Sequence, residues 1–456
     1  MMEFRSINPT TGETFRYVEF MELDEIEERV QRAADTFLDF RATSFEERAT
    51  WMNRLGELLE QHVETLAPIL TREMGKPIRQ AEAEIRKCAW ACRYFAEHAE
   101  QFLAPIPRET DAQRSYITFQ PLGPILAIMP WNFPFWQVIR FAAPALMAGN
   151  VALLKHAPNV PECALTLEEL FTEAGFPRGA FQNLFVDVYQ IPNLLEDWRI
   201  RGATLTGSVR AGRAVGAEAG KVIKKSVLEL GGSDPFVVLE DADLEKAVTT
   251  GIQARMQNNG QSCIAAKRFI LVRSIADAFI ERFVEEMKAI NMGDPMDPEV
   301  QLGPIARADL RDQLHDQVTR SVAAGARLLL GGTIPQNSGF FYPPTVLTQV
   351  TPGMPAFDEE TFGPVAAMIV AENEQDALRL ANLSRYGLGG AVFTRDIERG
   401  ERFALQMECG NAFVNGMVKS DPRLPFGGVK ESGYGRELSE FGIREFTNIK
   451  TVWIGS

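Results

Sequence analysis

The sequence predicts an α/β protein of two parallel-sheet domains with a small separate β element. Three observations carry this. Short continuous apolar runs, such as Val151-Ala152-Leu153-Leu154, alternate with helical segments from residue 116 onward. That rhythm belongs to strands buried on both faces and joined by helical crossovers. It restarts after Val227-Leu228-Glu229-Leu230, and 456 residues are too many for one ordinary core.

Taken in order, the first third reads as helical. Asp24-x-x-Glu27 has the form of a capping box ahead of Ile26, Val30, Ala33 and Phe37. Ser44-x-x-Glu47 precedes Leu55, Leu58, Leu59, Val63 and Leu66, predicting one helix that stops at Gly75-Lys76-Pro77. A further helix spans 78–102. The first α/β block pairs strand 124–129 with helix 136–148, 151–154 with 161–174, 183–186 with 192–198, and 203–206 with 209–219. The second runs from strand 236–239 through helix 243–256, strand 268–272 and helices 275–290 and 307–323 to strand 412–414. Segments 106–121 and 446–454 read as strands outside this rhythm, whose free edges suit pairing with another subunit.

Composition narrows the function. Hydrophobic residues at 45% and charged residues at 24% are values of a soluble globular protein. With 47 basic and 61 acidic residues the net charge is 47 − 61 = −14, which argues against nucleic-acid and anionic-membrane partners. Five scattered cysteines make no disulfide framework and fit a reducing cytoplasm. Four histidines show no ligand spacing, so no metal is expected. Residues 1–5 carry no apolar signal region, and the apolar stretch 141–154 is too short to span a bilayer. The expectation is a cytoplasmic protein.

Several residues stand where chemistry is possible. Cys263 lies in Asn258-Asn259-Gly260-Gln261-Ser262-Cys263-Ile264, a polar loop unlike the apolar setting of a packed cysteine, and reads equally as nucleophile or structural thiol. Glu229, at a strand end before Gly231-Gly232, is either a general base or a strand-terminal carboxylate. Asn132, between two prolines in Pro130-Trp131-Asn132-Phe133-Pro134, can donate to an oxyanion or bond its own turn. Lys155 ends a buried strand, where it reaches a ribose or phosphate or only solvent. Gly207 and Ser208 open a helix after strand 203–206, a place for pyrophosphate, though the run is not the G-x-G-x-x-G fingerprint. Glu360-Thr361-Phe362-Gly363-Pro364 and Pro425-Phe426-Gly427-Gly428 are further glycine-containing loops, and Phe362 offers a flat wall for a ring.

Five motifs in chain order, Pro130-Trp131-Asn132-Phe133-Pro134, Leu228-Glu229-Leu230-Gly231-Gly232, Gly260-Gln261-Ser262-Cys263, Glu360-Thr361-Phe362-Gly363-Pro364 and Pro425-Phe426-Gly427-Gly428, resemble the aldehyde dehydrogenase superfamily over essentially the whole chain. The resemblance implies two Rossmann-like parallel-sheet domains. One is an NAD(P)-binding domain from 1–105 and 122–229; the other is a catalytic domain from 230–418. Residues 106–121 and 419–456 form oligomerisation strands and a C-terminal tail, giving a homodimer or homotetramer. It also implies Cys263 as nucleophile, Glu229 as base and Asn132 as oxyanion donor, with Lys155, Gly207, Ser208, Glu360 and Phe362 holding NAD or NADP and Trp131 lining its pocket.

Within the superfamily the chain is most similar to bacterial succinate-semialdehyde dehydrogenases, including the run Lys155-His156-Ala157-Pro158-Asn159-Val160. Arg140 stands where that group binds a substrate carboxylate, a role suited to a guanidinium fork, while its local sequence alone reads as a helix-surface arginine. Three positions depart from the pattern. Gln257 replaces a second arginine, leaving Ser420 and Arg423 as candidate donors. Ala265 replaces a second cysteine, so no thiol switch is expected there. Pro158 replaces a ribose-binding glutamate, which removes repulsion against a 2′-phosphate and favours acceptance of NADP. The implied reaction is NAD(P)-dependent oxidation of an aldehyde, foremost succinic semialdehyde, through a thioester. Another semialdehyde or an aliphatic aldehyde is the alternative substrate. A cysteine hydrolase and a non-catalytic homologue are the alternatives of another class.

Overall fold

The structure is a computed structural model describing residues 4–336 and 338–455. It contains two mostly parallel sheets. The first has six strands in the order Gly433–Tyr434, Lys225–Glu229, Gly202–Thr206, Pro124–Ile128, Val151–Lys155 and Phe181–Asn183. Only its two-residue edge strand, Gly433–Tyr434, runs antiparallel. Through that strand the tail 419–456 returns to the first sheet.

The second sheet orders seven strands as Arg327–Leu330, Thr345–Thr348, Val365–Ala371, Ala266–Val272, Asp234–Val238, Gly389–Phe393 and Asn411–Val414. Again only one edge strand, Arg327–Leu330, is antiparallel. Because side chains alternate along a strand, one apolar run feeds two cores. Phe236, Val238, Phe269 and Leu271 pack with Phe279 and Phe283 on one face. Val237, Leu239, Ile270 and Val272 pack with Leu314, Phe357 and Phe403 on the other. The first sheet and the helices of the N-terminal third share one larger core.

A third, antiparallel sheet joins Thr447–Ile454, Arg114–Pro121 and Ile106–Arg108. Its outermost long strand exposes Ile449 and Trp453.

The local expectations differ from the structure in places. The capping pair of the first helix, Leu23–Phe40, is Glu22 and Glu25 rather than Asp24 and Glu27; the Glu22 N–H donates to Glu25 Oε2 at 3.1 Å. Ser44 and Glu47 do cap Phe45–Gln61 reciprocally. The helix expected to continue to residue 75 instead breaks at His62, and Val63–Met74 is a separate helix ending on left-handed Gly75. The strand expected at 183–186 lies at Phe181–Asn183, and 192–198 is a short helix, Ile191–Glu196. Among the described residues no helix is long and apolar enough to cross a membrane.

Candidate active site

Cys263 sits in the turn between a short 3-10 segment, Gln257–Gly260, and strand Ala266–Val272. Asn258 and Asn259 in that segment adopt left-handed angles (φ 56° and 58°), which asparagine tolerates better than most residues. Their side chains hold the bend. Asn258 Nδ2 donates to the carbonyls of Asn132 (2.7 Å) and Gln261 (2.9 Å), and Asn259 Nδ2 donates to those of Gly75 (2.7 Å) and Pro304 (3.0 Å). Arg255 donates to the Gly260 carbonyl at 2.6 Å. Lys267 donates to the carbonyls of Ser262 (2.9 Å) and Cys263 (2.8 Å). The loop is therefore held by buried donors on both sides of the thiol.

The glycines of two motifs are explained by close approach to a third or to each other. A Cβ on Gly260 (φ +73°) would lie 2.3 Å from the Gly363 carbonyl, so the Cys263 loop and the Glu360–Pro364 loop meet backbone to backbone. A Cβ on Gly231 would strike the Glu360 carboxylate, and one on Gly232 would lie 2.6 Å from the Cys263 carbonyl. The motifs are thus one interlocked assembly.

Two cavities meet at Cys263. The first, about 810 Å³, is lined by Lys87, Trp136, Arg140, Gln257, Cys263 and Ser420 among others. The second, about 540 Å³, is lined by Trp131, Asn132, Gly207, Ser208, Cys263, Glu360 and Phe362 among others. Cys263 and Gln137 belong to both walls. Neither lining contains a histidine among the described residues, which removes the usual partner of a hydrolytic cysteine.

In the second cavity Asn132 is buried, and its Nδ2 donates to the Gln261 carbonyl at 3.1 Å, leaving one amide hydrogen free. His156 steadies that loop: its Nδ1 accepts from the Ala157 N–H (2.9 Å) while Nε2 lies 2.9 Å from the Pro134 carbonyl. Burial pushes its imidazole down to about 4, so it is neutral and Nε2 is the donor. Ser208 caps helix Val209–Lys221, accepting from the Ala211 N–H at 3.3 Å, and the helix N-terminus opens here. Phe362 and Trp131 meet edge to face at 5.8 Å. Glu360 accepts from the Gly232 N–H at 3.0 Å; burial raises its carboxyl and Lys267 opposes that rise. A helix N-terminus, a hydroxyl, a flat aromatic wall and a carboxylate suit a phosphorylated, ring-bearing ligand such as a dinucleotide. Lys155, by contrast, ends strand Val151–Lys155 with its Nζ 5.5 Å from the Phe4 ring, outside that lining.

The first cavity is the more cationic. Arg140, on helix Trp136–Met147, is buried, pairs with Glu437, and stacks 4.7 Å from the Phe426 ring. Glu84 holds the start of that helix, accepting from the N–H groups of Phe135 (3.0 Å) and Trp136 (2.9 Å). Lys87 donates to Ser420 Oγ at 2.7 Å. Gln257 presents only an amide to the same space.

One candidate is not brought to the site. Arg423 forks onto Asp421 (2.8 and 2.7 Å), with its side chain 65% exposed, and is absent from both linings. A carboxylate two residues away captured it locally. Sequence reasoning missed Lys87, Lys267 and Glu437; no local signal marks them, because each makes its contact through the fold.

Glu229 is buried at the end of its strand, and neither of its carboxylate oxygens has a hydrogen-bond partner among the described residues. It does not line either cavity. Burial, then the nearby Glu437, push its carboxyl well above the usual range, and Arg140 pulls the other way. Burial likewise pushes the Cys263 thiol up to about 12, opposed first by Arg140 and then by Lys267.

An aldehyde dehydrogenase family model matches residues 2–452. The chain belongs to the aldehyde dehydrogenase family. It is 51% identical over 459 residues to the NADP+ succinate-semialdehyde dehydrogenase of Mycolicibacterium paratuberculosis, covering 100% of this chain and 97% of that protein. It is 52% identical over 448 residues to the NAD(P)+ succinate semialdehyde dehydrogenase Sad of Escherichia coli, covering 98% of this chain and 97% of that one. The crystal structure of the Streptococcus pyogenes succinic semialdehyde dehydrogenase with NADP+ superposes with a TM-score of 0.97 at 37% identity, covering 99% and 100% of the two chains. The α/β class with two parallel sheets is thus the fold of this aldehyde dehydrogenase, as its sequence rhythm predicts.

Proposed function

We propose that this aldehyde dehydrogenase oxidises succinic semialdehyde to succinate with NADP or NAD. The observation that carries the reading is the position of Cys263 on a wall shared by two cavities, one cationic and one suited to a dinucleotide. The similarity to succinate-semialdehyde dehydrogenases over the full chain supports the same substrate.

The residues divide the work. Arg140 and Ser420 hold the substrate carboxylate in the first cavity, which brings the aldehyde carbon to Cys263. The thiol gives its proton to water, and the sulfur attacks that carbon as the carbonyl π bond opens; the oxyanion accepts hydrogen bonds from Asn132 Nδ2 and the Cys263 N–H. Ser208, Gly207, Glu360, Phe362 and Trp131 hold the dinucleotide, with Lys155 beyond them. When bound, the nicotinamide supplies a hydride acceptor. Cys263 then carries the acyl group as a thioester. Glu229, a stronger base for being buried, takes a proton from the water that releases the acid. From its buried position the carboxylate must swing toward the thiol to do so.

Pro158 places no carboxylate where it would repel a 2′-phosphate, which favours acceptance of NADP. The open edge of Thr447–Ile454, with Ile449 and Trp453 exposed, suits pairing with a second copy in a homodimer or homotetramer. A cytoplasmic location fits the five cysteines, none of them in a disulfide.

The test is formation of reduced nicotinamide from succinic semialdehyde, glutaric semialdehyde and butanal with each cofactor. Succinic semialdehyde is expected to have the highest kcat/KM. A preference for butanal overturns the substrate assignment, and no reduction with any aldehyde overturns the activity.

A further inference from the structure

We infer that Lys87, together with Ser420, is the second anchor of the substrate carboxylate beside Arg140. The inference rests on the reading of the substrate as a carboxylate-bearing aldehyde.

Charge on the cavity wall singles Lys87 out. Arg79 is paired with Glu299 at 2.7 Å, and Arg140 with Glu437. The acids near Lys87 are committed elsewhere: Glu84 to Lys76, and Asp421 to Arg423 at 2.7 Å. Lys87 forms no ion pair with any described residue, and Lys419 is exposed. Lys87 is thus the half-buried cation of this wall whose charge no protein carboxylate answers. In a protein of net charge −14, an unanswered cation on the wall of the cavity that Cys263 also lines suits an anionic ligand.

Geometry agrees. The Lys87 ammonium lies 4.2 Å from the Trp136 ring and 2.7 Å from Ser420 Oγ, and both partners line the cavity that contains Cys263. An ammonium has three donors, and Ser420 takes one, so two remain for a carboxylate. Ser420 accepts from Lys87, which leaves its hydroxyl hydrogen for the same ligand. Arg140, on the neighbouring helix, is close enough to depress the Lys87 ammonium, which burial and that neighbour push down to about 8. An anion between the two cations relieves both effects. Gln257 supplies only an amide to this wall, so the second charge comes from Lys87 on helix Ile78–Phe102.

The experiment compares the kcat/KM ratio of succinic semialdehyde to butanal in wild type, Lys87→Met and Lys87→Arg, with succinate titrated calorimetrically into each cofactor-free chain. Expected is a fall in the ratio of about tenfold or more in Lys87→Met, mainly through KM, and a smaller fall in Lys87→Arg. Succinate binding weakens in the same order. A smaller change in Lys87→Met, or an equal loss on both aldehydes with unchanged succinate binding, overturns the assignment. If wild type itself does not favour succinic semialdehyde over butanal, the substrate reading fails, and the succinate titration alone decides Lys87.

Discussion

Replacing Arg140 by methionine removes one charge with two consequences that the structure separates. Arg140 is buried against Glu437, and the two side chains form an ion pair. Breaking one half of a buried ion pair costs about 3–5 kcal/mol, because the other charge is left without compensation. With an m-value on the order of 3–4 kcal/mol/M, that lowers the urea midpoint by roughly 1 M. The second consequence is catalytic. Loss of a guanidinium contact to a substrate carboxylate costs about 2–4 kcal/mol, or roughly 30- to 700-fold in kcat/KM. Butanal makes no such contact, but Arg140 is also the foremost charge that holds the Cys263 thiol down, so its oxidation slows by a smaller factor. The double variant Arg140→Met/Glu437→Met distinguishes the two effects. Replacing a buried pair by apolar residues is often neutral or stabilising, so the urea midpoint is expected to recover most of its loss. The preference for succinic semialdehyde over butanal is not expected to recover. If preference returns with stability, Arg140 acts only through the fold. If the single variant keeps its preference, Arg140 does not touch the carboxylate.

Four further outcomes are expected. Cys263→Ala abolishes aldehyde oxidation by the absorbance of reduced nicotinamide, and substantial residual turnover contradicts a covalent thioester. Glu229→Gln gives a burst of about one reduced nicotinamide per subunit and then stalls, since the thioester forms but is not hydrolysed; steady turnover at the wild-type rate contradicts its role as base. The KM for succinic semialdehyde rises with pH above about 8, because the charged form of Lys87 binds the carboxylate and is lost as pH climbs through its value. Arg140, Cys88, Glu84 and Asp421 surround that ammonium, and butanal, which needs none of this charge, supplies the control profile; an identical rise for butanal removes Lys87 as the cause. Gly260→Ala destabilises by well over ~1 kcal/mol in urea unfolding, since its φ is +73° and the new methyl would meet the Gly363 carbonyl.

The parts legible in the sequence share a physical reason. Strand–helix alternation survives because a strand buried on both faces admits few polar residues, and 151–154 and 236–239 show that directly. The motifs around Cys263 and Glu229 are legible because their glycines answer close contacts, Gly260 on the Gly363 backbone and Gly231 on the Glu360 carboxylate. Other features leave no local mark. Lys87 meets Ser420 across 333 positions, and a lysine on a helix otherwise reads as a solvated face. The pairing of Arg140 with Glu437 joins the middle of the chain to its tail. The helix break at His62 occurs without glycine or proline, so periodicity carried the prediction through it. Arg423 failed as a donor for the opposite reason, since its partner Asp421 was only two residues away and in plain view.

The shared wall at Cys263 makes the protein modular in its chemistry. One thiol serves two chambers whose linings, apart from Cys263 and Gln137, are drawn from different residues. A replacement in one chamber can alter which acyl chain is accepted without touching the coenzyme, and the reverse holds for the other. Lys87, Gln257 and Ser420 face only the first chamber, and Ser208, Glu360 and Phe362 face only the second. Selectivity for aldehyde and for coenzyme can therefore drift as two independent traits around an unchanged nucleophile.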